Sequence, residues 1–252
     1  MHTSMIASLA GLALSASALA GPVLINEFQP NPAGTDPTTT TIELRGTAGA
    51  SFSGFLINID TDGPASSGAF AIVNPTGSFA ISGVFDANGL LTVSVADFEN
   101  PSFGFVLASN SLAAGTDLDA NNDGLFDNVS AFGTIFDAIF VSDQVEDAAL
   151  GAALVSQLGV GTNLAFSGLT GNSSEPLSVF RDGVTNAVYQ VVVDGAGASS
   201  VFDAAGSQVT APFFGGDPLI TSFGAVNATI VPTPGAAALL GLGGLLASRR
   251  RR

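Results

Sequence analysis

Short runs of β-branched, aromatic and other apolar residues recur along this chain, and residues that favour turns separate them. The runs lie at 23–28, 39–44, 55–60, 69–73, 90–95, 103–107, 178–180 and 187–193. Strands of this length, spaced by Gly, Pro, Asn and Asp, are typical of an antiparallel β-sandwich. Turn pairs that place glycine where a positive φ is tolerated occur at Asp62-Gly63, Asn88-Gly89 and Asp182-Gly183. The sequence therefore predicts a mainly β protein.

One segment follows a different period. Residues 143–158 are rich in alanine, and their apolar side chains recur at near-helical spacing, at Val145, Ala149, Ala152 and Val155. Ser142 precedes the segment, and serine is a favourable helix cap. We predict one short helix there. We also predict a flexible loop at 195–200, where glycine, alanine and serine are concentrated.

The amino-terminal residues 1–20 predict a cleavable secretory signal. An apolar stretch from Met5 to Leu14 is followed by small residues that end in Ala18-Leu19-Ala20, a cleavage pattern of such signals. We place cleavage after Ala20, although the segment opens with His2 in place of the usual Lys or Arg. The alternative interpretation is a buried core helix. Export would put the body of the protein, residues 21–220, outside the cytoplasm.

The carboxyl-terminal residues 231–252 combine an apolar segment with a basic end, and a linker at 221–230 precedes them. As a helix, the segment from Val231 to Ser248 would be about 27 Å long, against a hydrocarbon core of about 30 Å. Basic residues, which favour the cytoplasmic side of a membrane, end the chain at Arg249, Arg250, Arg251 and Arg252. We therefore predict a C-terminal transmembrane helix that anchors the chain, at least transiently, in the cytoplasmic membrane.

This tail resembles the PEP-CTERM class of bacterial sorting signals. In that class a short proline motif, an apolar helix and a basic end are recognised and cut by a membrane protease of the exosortase type. The corresponding motif here is Pro232-Thr233-Pro234, in which Thr233 stands where the family has Glu. The resemblance implies an exosortase-type sorting protease as a partner and a location in the cell envelope or outside the cell. An ordinary single-span anchor with stop-transfer arginines is the alternative.

Composition excludes several kinds of chemistry from the body. The chain has no Cys, Lys or Trp, and its one histidine is His2 in the predicted signal. The mature body would therefore lack the groups needed for serine triads, thiol catalysis, histidine-ligated zinc and Schiff bases. Carboxylate chemistry survives, because the chain has 21 acidic residues, and the same acidity disfavours nucleic acids as partners. We predict a non-enzymatic protein, with a carboxylate-based hydrolase of envelope polysaccharide as the alternative.

The opening of the body carries three short motifs in a fixed order. They are Ile25-Asn26-Glu27 within the run 23–28, then Ile42-Glu43-Leu44, then Ser53-Gly54-Phe55. On these motifs residues 21–110 resemble the lamin-tail domain, in which an INE-type strand, an IEL-type strand and an SGW-type turn follow one another. Phe55 stands where Trp is usual in that family. The resemblance implies an immunoglobulin-like β-sandwich with an adhesion, scaffolding or accessory role, and envelope or extracellular matrix polymers as partners.

Two acids lie within apolar strands, at Glu27 and Glu43, where an unpaired charge is costly. Arg45 is one of only two basic residues between the predicted signal and the terminal arginines. We therefore predict a structural ion pair of Arg45 with these acids, and a catalytic carboxylate dyad is the alternative. A hydrolase needs two acids that face each other across an open cleft, whereas a structural role predicts acids in loops and on outer faces.

An acidic loop at 117–127 is the sharpest chemical pattern in the chain. Its oxygen-bearing side chains recur as in calcium loops, and the candidate ligands are Asp117, Asp119, Asn121, Asp123 and Asp127. Gly124 stands at the tight turn, while Ser130 takes the place of the usual bidentate Glu. We predict a weak structural Ca²⁺ site that resembles the DxDxDG loops of dockerin-type and thrombospondin-type repeats. The alternative is a solvated turn rich in Asp and Asn that binds no ion.

Overall fold

The computed structural model describes residues 21–30, 32, 37–63, 70–98, 102–168, 176–193, 197–209 and 214–231. The predicted signal at 1–20 lies outside these residues, and so does the predicted sorting tail from Pro232 through Thr233 and Pro234 to the four terminal arginines. Among the described helices, none combines the length and the apolar character that crossing a membrane requires.

The described residues form two large sheets and one short hairpin. The seven-stranded sheet contains β1 Leu24–Phe28, β2 Thr39–Arg45, β5 Leu90–Ala96, β9 Ser178–Arg181, β10 Val188–Val193, β11 Ser199–Asp203 and β12 Gln208–Val209. The five-stranded sheet contains β3 Ser51–Asp60, β4 Ile72–Val84, β6 Phe103–Ala108, β7 Ile135–Val141 and β8 Thr162–Leu164. The hairpin pairs β13 Phe214–Gly215 with β14 Thr229–Ile230.

Strand order in space differs from strand order in the chain. The larger sheet runs β12-β11-β10-β9-β1-β2-β5, and the smaller one runs β4-β3-β6-β7-β8. Helix α1 spans Val145–Leu158, and a short 3₁₀ helix spans Val129–Phe132. The central strands of the two sheets thus come from distant parts of the sequence, which places residues from both ends of the body close together.

The two sheets pack face to face around a shared apolar core. The ring of Phe28 on β1 contacts that of Phe105 on β6 with centroids 5.2 Å apart, and Phe98 contacts Phe105 at 4.5 Å. Both pairs are edge-to-face, a geometry that adds to the stabilisation from buried area. The predicted mainly β fold is confirmed, and two sheets that share one core are what the β-sandwich prediction requires.

Each sheet also has a covered outer face. On the five-stranded sheet, Phe140 of β7 packs in one cluster with Leu154 of α1 and with apolar residues of the loop before β7. On the seven-stranded sheet, Phe214 contacts the rings of Phe180 and Tyr189 at 5.9 and 5.3 Å. We call residues 214–231, which make this second cover, the C-terminal strap. The expected linker at 221–230 is therefore part of a segment that packs on the sandwich.

Helix α1 forms where it is predicted, but it begins differently. Its N-cap is Gln144, whose side chain makes no capping hydrogen bond, so the predicted cap at Ser142 is wrong. Acids in the first turn, Glu146 and Asp147, interact favourably with the helix dipole. The helix ends at Gly159, which has a φ of 71°. It connects β7 to β8, and these two strands pair in parallel, unlike the antiparallel arrangement predicted throughout.

Of the predicted strand at 69–73, residue 69 lies outside the described residues, and β4 begins at Ile72. Phe70 and Ala71 form a turn, in which Ala71 has a φ of 56°. The strand then continues through Pro75 to Val84. A register shift in the partner strand β3 accompanies this irregular stretch, as expected where proline supplies no N–H to a ladder.

Of the three glycines predicted in turns, Gly89 alone has a positive φ, 77°. A Cβ there would lie 2.4 Å from the Gly46 carbonyl oxygen, so glycine is required for space as well. Gly63 has an ordinary φ, but a Cβ on it would lie 2.8 Å from Oδ1 of Asp147. The loop predicted at 195–200 is described only in part: residues 195 and 196 lie outside the described residues, and its last two residues belong to β11.

Candidate functional site

Two buried carboxylates lie side by side on the outer face of the seven-stranded sheet. Glu27 on β1 is opposite Glu43 on β2 in the antiparallel register. Their exposed fractions are 2% and 0%, because the C-terminal strap lies over them. Two neighbouring acids are the arrangement from which carboxylate chemistry could arise, so their hydrogen-bond partners determine what this site can do.

Glu27 binds the strap through Ser222. The Ser222 N–H donates to Oε1 at 2.9 Å and to Oε2 at 3.1 Å, and its hydroxyl donates to Oε2 at 3.0 Å. Burial raises the pKa of Glu27 from 4.5 to about 7; the hydrogen bonds from Ser222 oppose that rise, and the neighbouring Glu43 adds to it. Glu27 therefore changes charge near neutral pH in the folded protein.

Glu43 contacts three separate segments. Its Oε1 accepts a hydrogen bond from Nδ2 of Asn26 at 2.7 Å, while Oε2 accepts from the Thr92 hydroxyl at 3.1 Å and from the Gly224 N–H at 2.6 Å. Asn227 adds a further contact of the strap, since its Nδ2 donates to the Asn26 carbonyl at 3.1 Å. The carboxylate oxygens of the pair are thus used within the fold, under a segment that covers them.

The predicted ion pair of Arg45 with Glu27 or Glu43 is wrong. Arg45 Nη1 instead donates to the carbonyl oxygens of Asp182 and Gly183, at 3.4 and 3.2 Å. Backbone, hydroxyl and amide donors of the strap and of neighbouring strands satisfy the two acids. Sequence reasoning could not find the strap's part in this, because nothing local connects β1 and β2 to residues near the end of the body.

A buried ion pair does form, between Arg181 on β9 and Asp137 on β7, with Nη2 and Oδ2 2.5 Å apart. Oδ2 of Asp137 also accepts from the Ile25 N–H at 2.9 Å, and Arg181 Nε donates to the Ile25 carbonyl at 2.9 Å. Burial raises the pKa of Asp137, and the adjacent guanidinium opposes that rise. The pair connects the two sheets across the core, so loss of either partner would leave an uncompensated buried charge.

The acidic loop at 117–127 is closed by its own side chains. Asp119 accepts from the N–H groups of Asp123 at 3.0 Å and of Gly124 at 2.8 Å, and Gly124 has a φ of 84° at the predicted tight turn. The other candidate ligands also accept from backbone N–H groups of the loop: Asp117 from Asp119, Asn121 from Asp123, Asp123 from Leu125 and Asp127 from Ala120. Such hydrogen bonds are typical of turns rich in Asp and Asn. Calcium binding here stays a prediction.

A group of acids that sequence reasoning missed lies at one edge of the five-stranded sheet. Asp62, Asp143 and Asp147 bring carboxylate oxygens within 4.8 Å of one another, and no other such trio of acids occurs in the described part of the chain. The Ser102 hydroxyl lies 2.7 Å from an oxygen of Asp143 and from one of Asp147. Burial, with a smaller effect of the neighbouring acids, raises the pKa of Asp62 to about 6.

Strand order explains why these acids meet. Asp60, Phe103 and Val141 are aligned across β3, β6 and β7, so residues just beyond them lie at the same edge of the sheet. Asp62 and Asp143 follow two of these strand ends. No local motif relates the acids to one another, and only the pairing of β3, β6 and β7 would have revealed the group.

Comparisons of the chain with protein-family models, with curated proteins and with solved structures found no match. Function must therefore be inferred from the chain's own geometry. One surface depression of about 400 Å³ is lined by Tyr189 and Asp203 among others. A second, of about 360 Å³, is lined by Arg45. Neither depression brings two acids together, so neither has the lining that a carboxylate-based hydrolase needs.

Proposed function

We propose that this chain is a non-enzymatic structural or interaction protein that is exported to the bacterial cell envelope. The signal at 1–20 directs export, and the PEP-CTERM-like tail at 231–252 directs sorting. The apolar helix of that tail holds the chain, at least transiently, in the cytoplasmic membrane, where an exosortase-type protease is its processing partner. The β-sandwich at 21–220 is the part that acts outside the cytoplasm.

The observation that supports this proposal best is the way in which the fold uses its buried acids. Glu27 and Glu43 accept hydrogen bonds from the C-terminal strap, and Asp137 pairs with Arg181 between the sheets. A glycosidase needs two carboxyl groups that face a substrate in an open cleft. Because the neighbouring pair is covered and hydrogen-bonded, it favours a structural role over carboxylate-based hydrolysis.

The positions of the three opening motifs support an immunoglobulin-like module of the lamin-tail type. The motif around Glu27 and the motif around Glu43 lie on β1 and β2, which are neighbours in the larger sheet. The third motif, a turn in that family, lies here within β3 of the smaller sheet, so it belongs to the other layer. Modules of that type serve adhesion or scaffolding, and the proposed partners are therefore envelope or extracellular matrix polymers.

A weak structural calcium site at 117–127 is part of the same proposal. The loop offers hard oxygen donors, which suit Ca²⁺. Both oxygens of Asp119 already accept N–H groups, which is consistent with a low affinity. Leu118 and Phe126, within this loop, are buried in the apolar cluster on the outer face of the smaller sheet. An ion bound by the loop would therefore stiffen the segment that covers this face.

Incubation with polysaccharide extracted from bacterial cell envelopes tests the non-enzymatic part of the proposal. The purified protein should co-sediment with the polymer and release no new reducing ends, because its paired acids are covered. Glu43→Gln and Asp147→Asn variants are the matched controls, and each should give the same reducing-end count as the wild type. Reducing ends that the wild type releases and that either variant fails to release would instead support the hydrolase.

A further inference from the structure

One arginine of the described body lacks an acidic partner. Arg181 pairs with Asp137, whereas Arg45 makes no ion pair within the described ranges and donates from Nη1 to the carbonyls of Asp182 and Gly183. Its Nε and Nη2 groups donate to none of the described residues. Among the acids that the structure describes, none forms an ion pair with this guanidinium, so its charge is available for an external anion.

The two carbonyl contacts also orient Arg45. A carboxylate binds arginine best through two parallel hydrogen bonds along one edge of the planar guanidinium. Since Nη1 is held by the backbone of the turn after β9, the edge formed by Nε and Nη2 is the one left for such a ligand. A guanidinium that is already held in its binding orientation loses less side-chain entropy when a ligand binds.

Arg45 lines the surface depression of about 360 Å³, and no acid lines it with Arg45. Leu24 and Val184 supply apolar walls, and Val184 is 75% exposed. The nearby Asp182 is turned away, because its carboxylate accepts from the N–H groups of Val184, Thr185 and Ile230 at 2.7, 2.6 and 2.6 Å. The depression thus combines one available cation with apolar contact surface.

We propose that this depression binds a carboxylate group carried on a compact ligand. Arg45 is the charge partner of the carboxylate, and Leu24 and Val184 contact the ring or short chain that bears it. Uronic acid sugars and peptide carboxyl termini share this chemistry. If export removes residues 1–20, the new ammonium group of Gly21 adds a second positive charge to the same depression, where Gly21 N donates to the Thr47 hydroxyl oxygen at 2.8 Å. That second charge rests on the proposed function, whereas the Arg45 contact does not.

Nitrogen-15 NMR of the arginine Nε–H groups of the full chain tests the site. The acidic probes are glucuronate and N-acetylalanine, and the neutral ones are glucose and N-acetylalaninamide. The Arg45 signal should shift saturably with an acidic probe and not with its neutral counterpart, and the tighter acidic probe identifies the source of the carboxylate. No saturable shift with either acid, or an equal shift with a neutral probe, would overturn the proposal.

Three variants separate binding from folding. Arg45→Gln should weaken binding about tenfold or more, since it removes a bidentate, charge-assisted contact. Val184→Asp places a competing carboxylate beside Arg45 from an exposed position and should abolish binding with the fold intact. Val84→Asp makes the same change at another exposed site, 59% accessible, and should bind like the wild type. If Val184→Asp binds as tightly as Val84→Asp, Arg45 is not the charge partner.

The intact mass of each sample distinguishes a failure of this inference from a failure of the proposed export. A mature chain that begins at a residue other than Gly21 would count against export as proposed, while the Arg45 titration would still be decisive for the site. A chain that begins at Gly21 and gives no saturable shift would overturn the carboxylate site alone.

Discussion

Individual buried polar side chains differ sharply in how well the fold satisfies them. Asn58 on β3 is 0% exposed, and within the described ranges neither Nδ2 nor Oδ1 of its side chain has a hydrogen-bond partner. It lies opposite Phe105 in the register with β6. Asn74 on β4 is also buried, but its Oδ1 accepts from the N–H and the hydroxyl of Thr76 at 3.1 and 3.0 Å. The same residue type is therefore unfavourable at one position and favourable at the other.

Asn58→Leu should raise the free energy of unfolding by about 1–3 kcal/mol, because it replaces an unsatisfied amide with an apolar group of similar size. Asn74→Leu is the matched control and should lower the free energy of unfolding by about 1 kcal/mol, since it leaves the Thr76 donors without their acceptor. Urea denaturation measures both effects, and the dependence of the free energy of unfolding on urea concentration should be the same in both variants as in the wild type. Equal destabilisation by the two substitutions would show that Asn58 has a partner in the folded protein.

At the scale of elements, the C-terminal strap links stability to pH through Glu27. Burial raises the pKa of Glu27 from 4.5 to about 7 in the folded state, so the folded protein binds this proton more tightly than the unfolded chain does. The resulting stabilisation is complete below pH 4.5 and is lost as the pH rises through 7. Burial under the strap determines this pH window, because it raises the pKa of Glu27 more than the hydrogen bonds from Ser222 lower it.

Glu27→Gln should remove this dependence, because Gln stays neutral and can still accept from Ser222. Relative to the wild type, the free energy of unfolding of the variant should rise by about 3 kcal/mol between pH 4 and pH 8, since each unit of pKa difference corresponds to about 1.36 kcal/mol. Glu146→Gln, at an exposed position in the first turn of α1, should not gain stability relative to the wild type over this pH range. Parallel profiles for wild type and Glu27→Gln in urea denaturation would contradict a raised pKa at Glu27.

The sequence predicts elements well where one local pattern dominates. The runs that became β1, β2, β5, β6 and β10 are rich in β-branched and other apolar residues, and α1 follows from alanine content and spacing. It predicts them poorly where local and tertiary preferences conflict. β4 continues through Pro75 although its register with β3 shifts there, and the two-residue strands of the strap exist only through tertiary contacts.

At the scale of the molecule, the candidate site depends on which strands become neighbours. Glu27 and Glu43 were recognisable as acids in apolar strands, but their cover comes from the strap. The expected partner Arg45, at the end of β2, donates instead to the turn after β9. The Asp137–Arg181 pair joins β7 of one sheet to β9 of the other. Each of these contacts is set by sheet order, which local residue patterns do not encode.

The whole-molecule proposal depends on both ends of the chain being targeting segments. The intact mass and terminal residues of the protein in cytosolic, membrane and medium fractions test this most directly. We expect chains that begin at Gly21 and reside in the envelope or medium, either with Arg252 intact in the membrane or ending near Pro234 after sorting. Replacement of Arg249, Arg250, Arg251 and Arg252 by Gln should reduce the membrane-retained form. A full-length chain found only in the cytosol, with residues 1–20 still attached, would contradict the proposal.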